Sequence, residues 1–220
     1  SRNTFRWAPQ IKGEDGFVRM VWGLGTRAVD RVGNDYPRVI ALSHPLLRPS
    51  TNPKMIRRYS QQFVDVIDLE QNAFRTLPVN EVLDPHYPPV RYIAQLDQGG
   101  YFHPIRSRVL EDEENSLVVT FDEFLKRTNF SEIMRDMLNV LERAYRQPVD
   151  VEFTITIHEN SIGRPTFCIS LLQCRPQAQL MTSAQVTIPK KLQEEDIIFD
   201  THFVVPHGMV DQIEYVVYVP

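Results

Sequence analysis

The 220-residue chain is 42% hydrophobic and 24% charged, proportions of a soluble globular protein with room for one large domain or two small ones. Its net charge of −4 and pI near 5.9 argue against a broad basic nucleic-acid face. No apolar run approaches the ~20 residues that span a bilayer and no signal-like segment opens the chain, so the expectation is a cytoplasmic protein with no nucleic-acid and no membrane partner.

Taken from the amino terminus, "FVRMVW" at 17–22 predicts an apolar strand that ends at Gly23 in the turn "GLGT", and a second apolar run covers 38–42. "PSTNPKMIRRY" is punctuated by prolines and predicts a short helical turn. "QFVDVIDLEQNAFRTLPV" alternates apolar and polar residues on both sides of "LEQN", the pattern of a β-hairpin. "DPHYPPV" reads as a loop, "RYIAQLD" as strand-like and "QGGYFHP" as a turn. "LEDEEN" reads as a solvated acidic loop. "SLVVT" is a strand leading into "TFDEFLKR", where Thr120 and Glu123 have capping-box spacing.

The clearest helix spans about 130–146. Phe130, Ile133, Met134, Met137, Leu138, Leu141, Ala144 and Tyr145 form one stripe at helical spacing, which predicts a face packed on the core. Asn129 is the expected N-cap, Glu132 follows three residues on, and Pro148 stops the helix. Asn129-Phe130-Ser131 also matches a glycosylation acceptor pattern; in a cytoplasmic chain it is read as a cap.

After this helix, strands at about 149–157 and 166–175 are joined by "HENSIGRP". Side chains alternate faces along a strand, so Asp150, Glu152, Thr154 and Thr156 share one face and Val151, Phe153, Ile155 and Ile157 the other. With the turn centred on Ile162-Gly163, Glu152 lies opposite Gln173 and Asp150 opposite Arg175, while Val151 faces Cys174 and Phe153 faces Leu172. A bulge between 152 and 173 would break this register. The two cysteines, Cys168 and Cys174, lie about 20 Å apart along the strand, too far for a disulfide, and are expected to be reduced thiols.

The polar face has two readings. A carboxylate and an amide oxygen about 5 Å apart across a ladder can both point at one hard cation such as Mg²⁺, which leaves other positions to water and phosphate. Arg175 offers a planar positive fork for phosphate oxygens, with Asp150 holding it or contacting the metal's waters. The bland alternative is a surface salt bridge, Asp150–Arg175, beside an ordinary polar pair. Spacing alone leaves both open.

"PVDVEF", then a strand, then "LLQCRP" resembles the end of the nucleotide-binding ATP-grasp domain of pyruvate phosphate dikinase and phosphoenolpyruvate synthase, where a D-[IV]-E-[FW] strand precedes a Q-[AC]-R strand. The resemblance implies that Glu152 and Gln173 are the paired metal ligands, Arg175 the phosphate-contacting arginine and Asp150 the upstream catalytic aspartate. "SRN" at the start resembles the family's "[ST]RN", which implies Arg2 near the nucleotide. "GLGT" matches the Gly-Leu-Gly-Glu turn through Gly23 and Gly25, with Thr26 in place of the glutamate. The likeness covers about residues 1–176, and 36–120 matches only in its general strand pattern.

The resemblance implies an α+β, ATP-grasp-like fragment: mainly antiparallel sheet packed on a long amphipathic helix at about 130–146. Residues 1–176 would be the C-terminal portion of the nucleotide-binding domain. Residues 177–220 would be a linker with further strands ("IIFDTHFVV", "IEYVVYV") leading to a missing region, and His202 and His207 would be incidental. A start without Met and a stop as a strand finishes also lead to the expectation of a piece of a longer protein.

The implied activity is that of a dikinase-type phosphotransferase. ATP, with Mg²⁺, would phosphorylate a histidine on a swivelling domain of the same chain, which passes the group to pyruvate to give phosphoenolpyruvate. The portion in hand would be inactive alone. Alternatives are a related dikinase acting on a glucan or an antibiotic, and a non-catalytic binding module, which Thr26 favours.

Overall fold

A computed structural model of the chain describes residues 7–29, 35–84, 86–106, 117–160 and 164–177, with 193 and 195. The expectations for Arg2, the "LEDEEN" loop, the Ile162-Gly163 turn, His202, His207 and the strands after 190 lie outside these residues. The chain divides into two units, Ser1–Pro176 and Gln177–Pro220. All the elements named below belong to the first unit.

The apolar run after Gly16 forms β1 (Phe17–Met20), which pairs antiparallel with β2 (Arg38–Ala41), placing Val18 against Ile40. β1 stops short of the expected residue 22 because the Trp22 backbone is bonded to the Gln61 side chain, its N–H donating to Oε1 at 2.7 Å and its carbonyl accepting from Nε2 at 2.9 Å. The "GLGT" turn then enters a single helical turn, α1 (Thr26–Val29).

α2 (Pro53–Arg58) starts at Pro53, which needs no N–H there, and Asn52 Oδ1 caps it by accepting from Lys54 N at 3.0 Å. The alternating segment folds as expected into a hairpin of β3 (Phe63–Asp68) and β4 (Ala73–Pro78), with Asp65 opposite Thr76 and Ile67 opposite Phe74. Asp68 Oδ1 closes the turn by accepting from the N–H groups of Glu70 and Gln71 at 3.0 and 2.9 Å.

A short α3 (Val79–Val82) follows, and "RYIAQLD" divides between α4 (Val90–Ile93) and β5 (Ala94–Asp97). β5 is central in a three-stranded antiparallel sheet, flanked by β6 (Phe102–Pro104) and β7 (Leu117–Val119).

α5 (Asp122–Arg127) departs from the expected capping box. Phe121 is the N-cap, with φ +57°, and the Glu123 side chain turns instead to Lys126 and Arg127 at 3.2 and 3.0 Å. α6 (Phe130–Tyr145) is 16 residues long. Asn129 sits at its N-cap without a side-chain capping bond. The Thr128 hydroxyl bridges α5 and α6 instead, donating to the Phe124 carbonyl at 2.7 Å and accepting from Phe130 N at 3.4 Å. Of the expected stripe, Phe130, Met134 and Leu138 are buried and Met137 and Leu141 half-buried, whereas Ile133, Ala144 and Tyr145 are exposed. The buried face is therefore narrower than the sequence stripe.

α6 packs against the long hairpin of β8 (Val149–Glu159) and β9 (Pro165–Pro176). Phe130 and Phe124 meet Phe167 with ring centroids 6.1 and 5.4 Å apart, and Phe153 lies 6.2 Å from Phe130. Burying each such ring contributes about 1.5–3 kcal/mol, so these aromatic contacts seat the hairpin. One apolar cluster runs from Val18, Ile40 and Val64 through Phe124, Phe130 and Met134 to Val149.

Among the described residues, then, the fold is mixed α/β, and its sheet is antiparallel and divided into four small pieces, β1–β2, β3–β4, β6–β5–β7 and β8–β9. Apart from β8 and β9 the strands are short, and helical turns and proline-rich links separate their ladders. No described helix is long and apolar enough to cross a membrane.

Candidate functional site

The β8–β9 ladder pairs Asp150 with Arg175, Val151 with Cys174 and Glu152 with Gln173, as the sequence register requires. Beyond Glu152 the register shifts by one: Phe153 pairs with Leu171, Ile155 with Ile169 and Ile157 with Phe167. Leu172 is the extra residue of a bulge and is 65% exposed. The expected Phe153–Leu172 pair is thus corrected.

The reason lies in the side chains. Without a bulge, Phe167 and Ile169 would share the face of Gln173 and Arg175. With it, they turn to the core, while Gln173 and Arg175 stay beside Glu152 and Asp150 on the other face. The shift falls on the loop side of the Glu152–Gln173 pair, so the polar quartet survives.

On that face Glu152, Gln173 and Arg175 are exposed and Asp150 is half-buried. Among the described residues no side-chain hydrogen bond or ion pair joins Asp150 to Arg175, although the ladder sets them opposite each other. The carboxylate of Glu152 and the amide of Gln173, directly paired, have Cβ atoms about 5 Å apart. Cys168 lies on the same face opposite Thr156, whereas Cys174 faces the core, and both are free thiols.

The other candidate residues sit on a different element. The turn at Gly23, Gly25 and Thr26 is fastened to β3 rather than to the β8–β9 hairpin. Gly23 has φ +91°, and a Cβ there would collide with Val64 Cγ2, so a glycine is required. Gly25 faces open space, and a methyl group placed there would meet nothing within 4 Å. The Thr26 hydroxyl donates to Asp65 Oδ2 at 2.5 Å, although the residue as a whole is exposed.

Asp65 is the hub of a network that the sequence motifs did not single out. Its Oδ1 accepts from the Thr76 hydroxyl at 2.5 Å and from Arg27 Nε at 3.1 Å. Arg27 continues to Asp35 at 2.9 Å and lies 5.5 Å from the centre of the Phe63 ring. Asp35 in turn accepts from the N–H groups of Gln62 and Phe63 at 2.6 and 3.3 Å. Burial raises the Asp65 carboxyl, but the hydrogen bonds from Thr26, Thr76 and Arg27, with the charge of Arg27, outweigh it and hold the group below the usual carboxylate range. The signal is present in the sequence: "VDV" sets one carboxylate among apolar neighbours here, as it does at Asp150.

A second cluster gathers the buried Arg38 with the half-buried Arg48 and Asp122. Arg48 Nη2 donates to Asp122 Oδ1 at 2.7 Å, and Arg38 Nη2 lies 3.7 Å from the same oxygen. Burial and the neighbouring Arg48 charge push the Arg38 guanidinium down to about 10, against the pull of Asp122.

As to metal, no group of three or more His, Cys, Asp or Glu able to hold an ion occurs among the described residues. Glu152 with Gln173 offers two oxygens, a set that fits Mg²⁺ when water and nucleotide phosphates complete its octahedron. No hydrogen bond or ion pair connects the β8–β9 quartet with the Gly23–Thr26 turn among the described residues; the two groups share only the apolar cluster, through Val64 and Val149.

Among known proteins, the family model described as pyruvate phosphate dikinase, AMP/ATP-binding domain, matches residues 8–196. No curated protein and no solved structure matches.

Proposed function

The chain belongs to the pyruvate phosphate dikinase AMP/ATP-binding domain family, and from that premise we propose that it supplies phosphate and Mg²⁺ contacts for an ATP-dependent phosphotransferase. The observation that carries this reading is the pairing of Glu152 with Gln173 and of Asp150 with Arg175 on one face of a single hairpin.

Each residue then has a task. Glu152 and Gln173 would hold Mg²⁺ through one carboxylate and one amide oxygen. When bound, the ion neutralises charge across the phosphate oxygens of ATP. Arg175, exposed and unpaired with Asp150, presents two N–H groups to a phosphate and stabilises charge that builds on the transferring group. Asp150, half-buried beside it, limits the rotamers of Arg175 and orients water. The scaffold is an ATP-grasp fragment, and in the full-length protein the acceptor is a histidine on a swivelling domain and then pyruvate.

The full-length protein tests this reading. Incubated with ATP labelled on the β-phosphate, with Mg²⁺, it should acquire label on a histidine, and pyruvate should discharge that label. The Glu152→Ala and Arg175→Ala variants should lose the labelling. Undiminished labelling in both would sink the site assignment.

One observation favours a second reading. The Thr26 hydroxyl is committed to Asp65 where the family pattern has a glutamate, which suits a module that binds nucleotide without transferring phosphate. Mg²⁺-dependent ATP binding without histidine labelling would select it.

A further inference from the structure

We infer that Asp65 is a positioning residue for the Gly23–Thr26 turn, and that Thr26 locks this turn to β3 rather than acting as a ligand. The inference rests on the nucleotide-binding reading above.

Four attachments fix the turn, all to one short stretch of chain. At its start, the Gln61 side chain satisfies both backbone groups of Trp22 and also donates to the Phe63 carbonyl at 2.8 Å. At Gly23 there is no room for a side chain against Val64. Leu24 N donates to the Asp65 carbonyl at 3.3 Å. At its end, Thr26 and Arg27 both donate to the Asp65 carboxylate, at 2.5 and 3.1 Å. The inner side of the turn is thereby fully occupied, and its outer side at Gly25 is open.

The chemistry of Thr26 follows. A hydroxyl has one proton, and here that proton goes to Asp65. Asp65 is 5% exposed and ionised, and a buried carboxylate short of a donor is costly. A glutamate at position 26 would withdraw that donor and set a second negative charge beside the first. The family's carboxylate is therefore exchanged for a neutral donor that completes a buried charge. What the turn can offer a nucleotide is its backbone at the open side, held at the height Asp65 dictates.

The test uses the full-length protein and Mg²⁺ with a non-hydrolysable ATP analogue, pairing dissociation constants with thermal denaturation. Thr26→Ser keeps the donor and should bind within twofold of wild type. Thr26→Val keeps the shape, loses the donor, and should bind at least fivefold more weakly at a temperature well below its melting point. Leu138→Ala, in the core of α6, should lower the melting temperature at least as much and bind within twofold of wild type. That contrast separates positioning from mere destabilisation. Thr26→Val binding like wild type, or losing no more affinity than Leu138→Ala, would overturn the proposal alone. Thr26→Glu binding more tightly with Mg²⁺ would show that position 26 is a ligand position, and would overturn it too. A wild type with no affinity for the analogue would overturn the nucleotide reading and this inference together.

Discussion

Phe153 pairs with Leu171 while its neighbour Glu152 pairs with Gln173, so Leu172 stands between two ladders without a partner. This arrangement gives β9 two parities, with Phe167 and Ile169 to the core on one side of the bulge and Cys174 to the core on the other. Phe167→Ser should therefore destabilise the protein by about 3 kcal/mol, as loss of a core ring does, and Leu172→Ser by less than about 0.5 kcal/mol. Urea denaturation of the two variants decides it. The reverse order would mean that the ladder runs without a bulge, with Leu172 in the core opposite Phe153 and Phe167 on the polar face.

The two glycines of "GLGT" should differ sharply. Gly23→Ala runs into the Val64 side chain and must hold φ +91°, and overpacking and a left-handed backbone together predict a loss of about 2–3 kcal/mol. Gly25→Ala meets nothing within 4 Å and should change stability by less than about 1 kcal/mol. Equal losses in chemical denaturation would refute the way the turn sits on β3.

Asp65 should leave a signature in acid. Its folded carboxyl lies below the ordinary range because Thr26, Thr76 and Arg27 outweigh its burial, so the folded state binds that proton less readily than the unfolded chain. The stabilisation is complete above the unfolded value of about 3.9 and drains away as pH falls through the lower folded value. Asp65→Asn should be less stable than wild type at pH 7, with the difference narrowing below pH ~4. Stability curves whose gap stays constant from neutral pH into acid would show that the charge of Asp65 contributes nothing.

Much of the architecture is legible in the sequence because it follows from short-range rules. The β3–β4 hairpin is written in the alternation on either side of "LEQN", and the polar quartet in "PVDVEF" and "LLQCRPQ". The bulge is legible as well, in the doublet Leu171-Leu172, where apolar residues change from odd to even positions. An assumed continuous register hides it.

Other features depend on partners far away in the chain. Thr26 and Asp65 are 39 residues apart, and no local pattern announces their bond. The expected caps fail for a local reason instead: Glu123 has its own cationic neighbours in Lys126 and Arg127, and Thr128 occupies the role expected of Asn129. Outer residues of the α6 stripe, such as Ile133, stay in water because only the face that carries Phe130, Met134 and Leu138 joins the apolar cluster.

Whether Glu152, Gln173 and Arg175 form a site for Mg²⁺ and nucleotide phosphate can be read by calorimetry. An ATP analogue is titrated into the full-length protein with Mg²⁺ present and again with the ion chelated. Wild type should bind at least tenfold more tightly with Mg²⁺, about 1.4 kcal/mol. Glu152→Gln should lose that metal-dependent gain, and Arg175→Ala should weaken binding in both conditions. A Mg²⁺-dependent gain of the same size in Glu152→Gln as in wild type would contradict the assignment of the site.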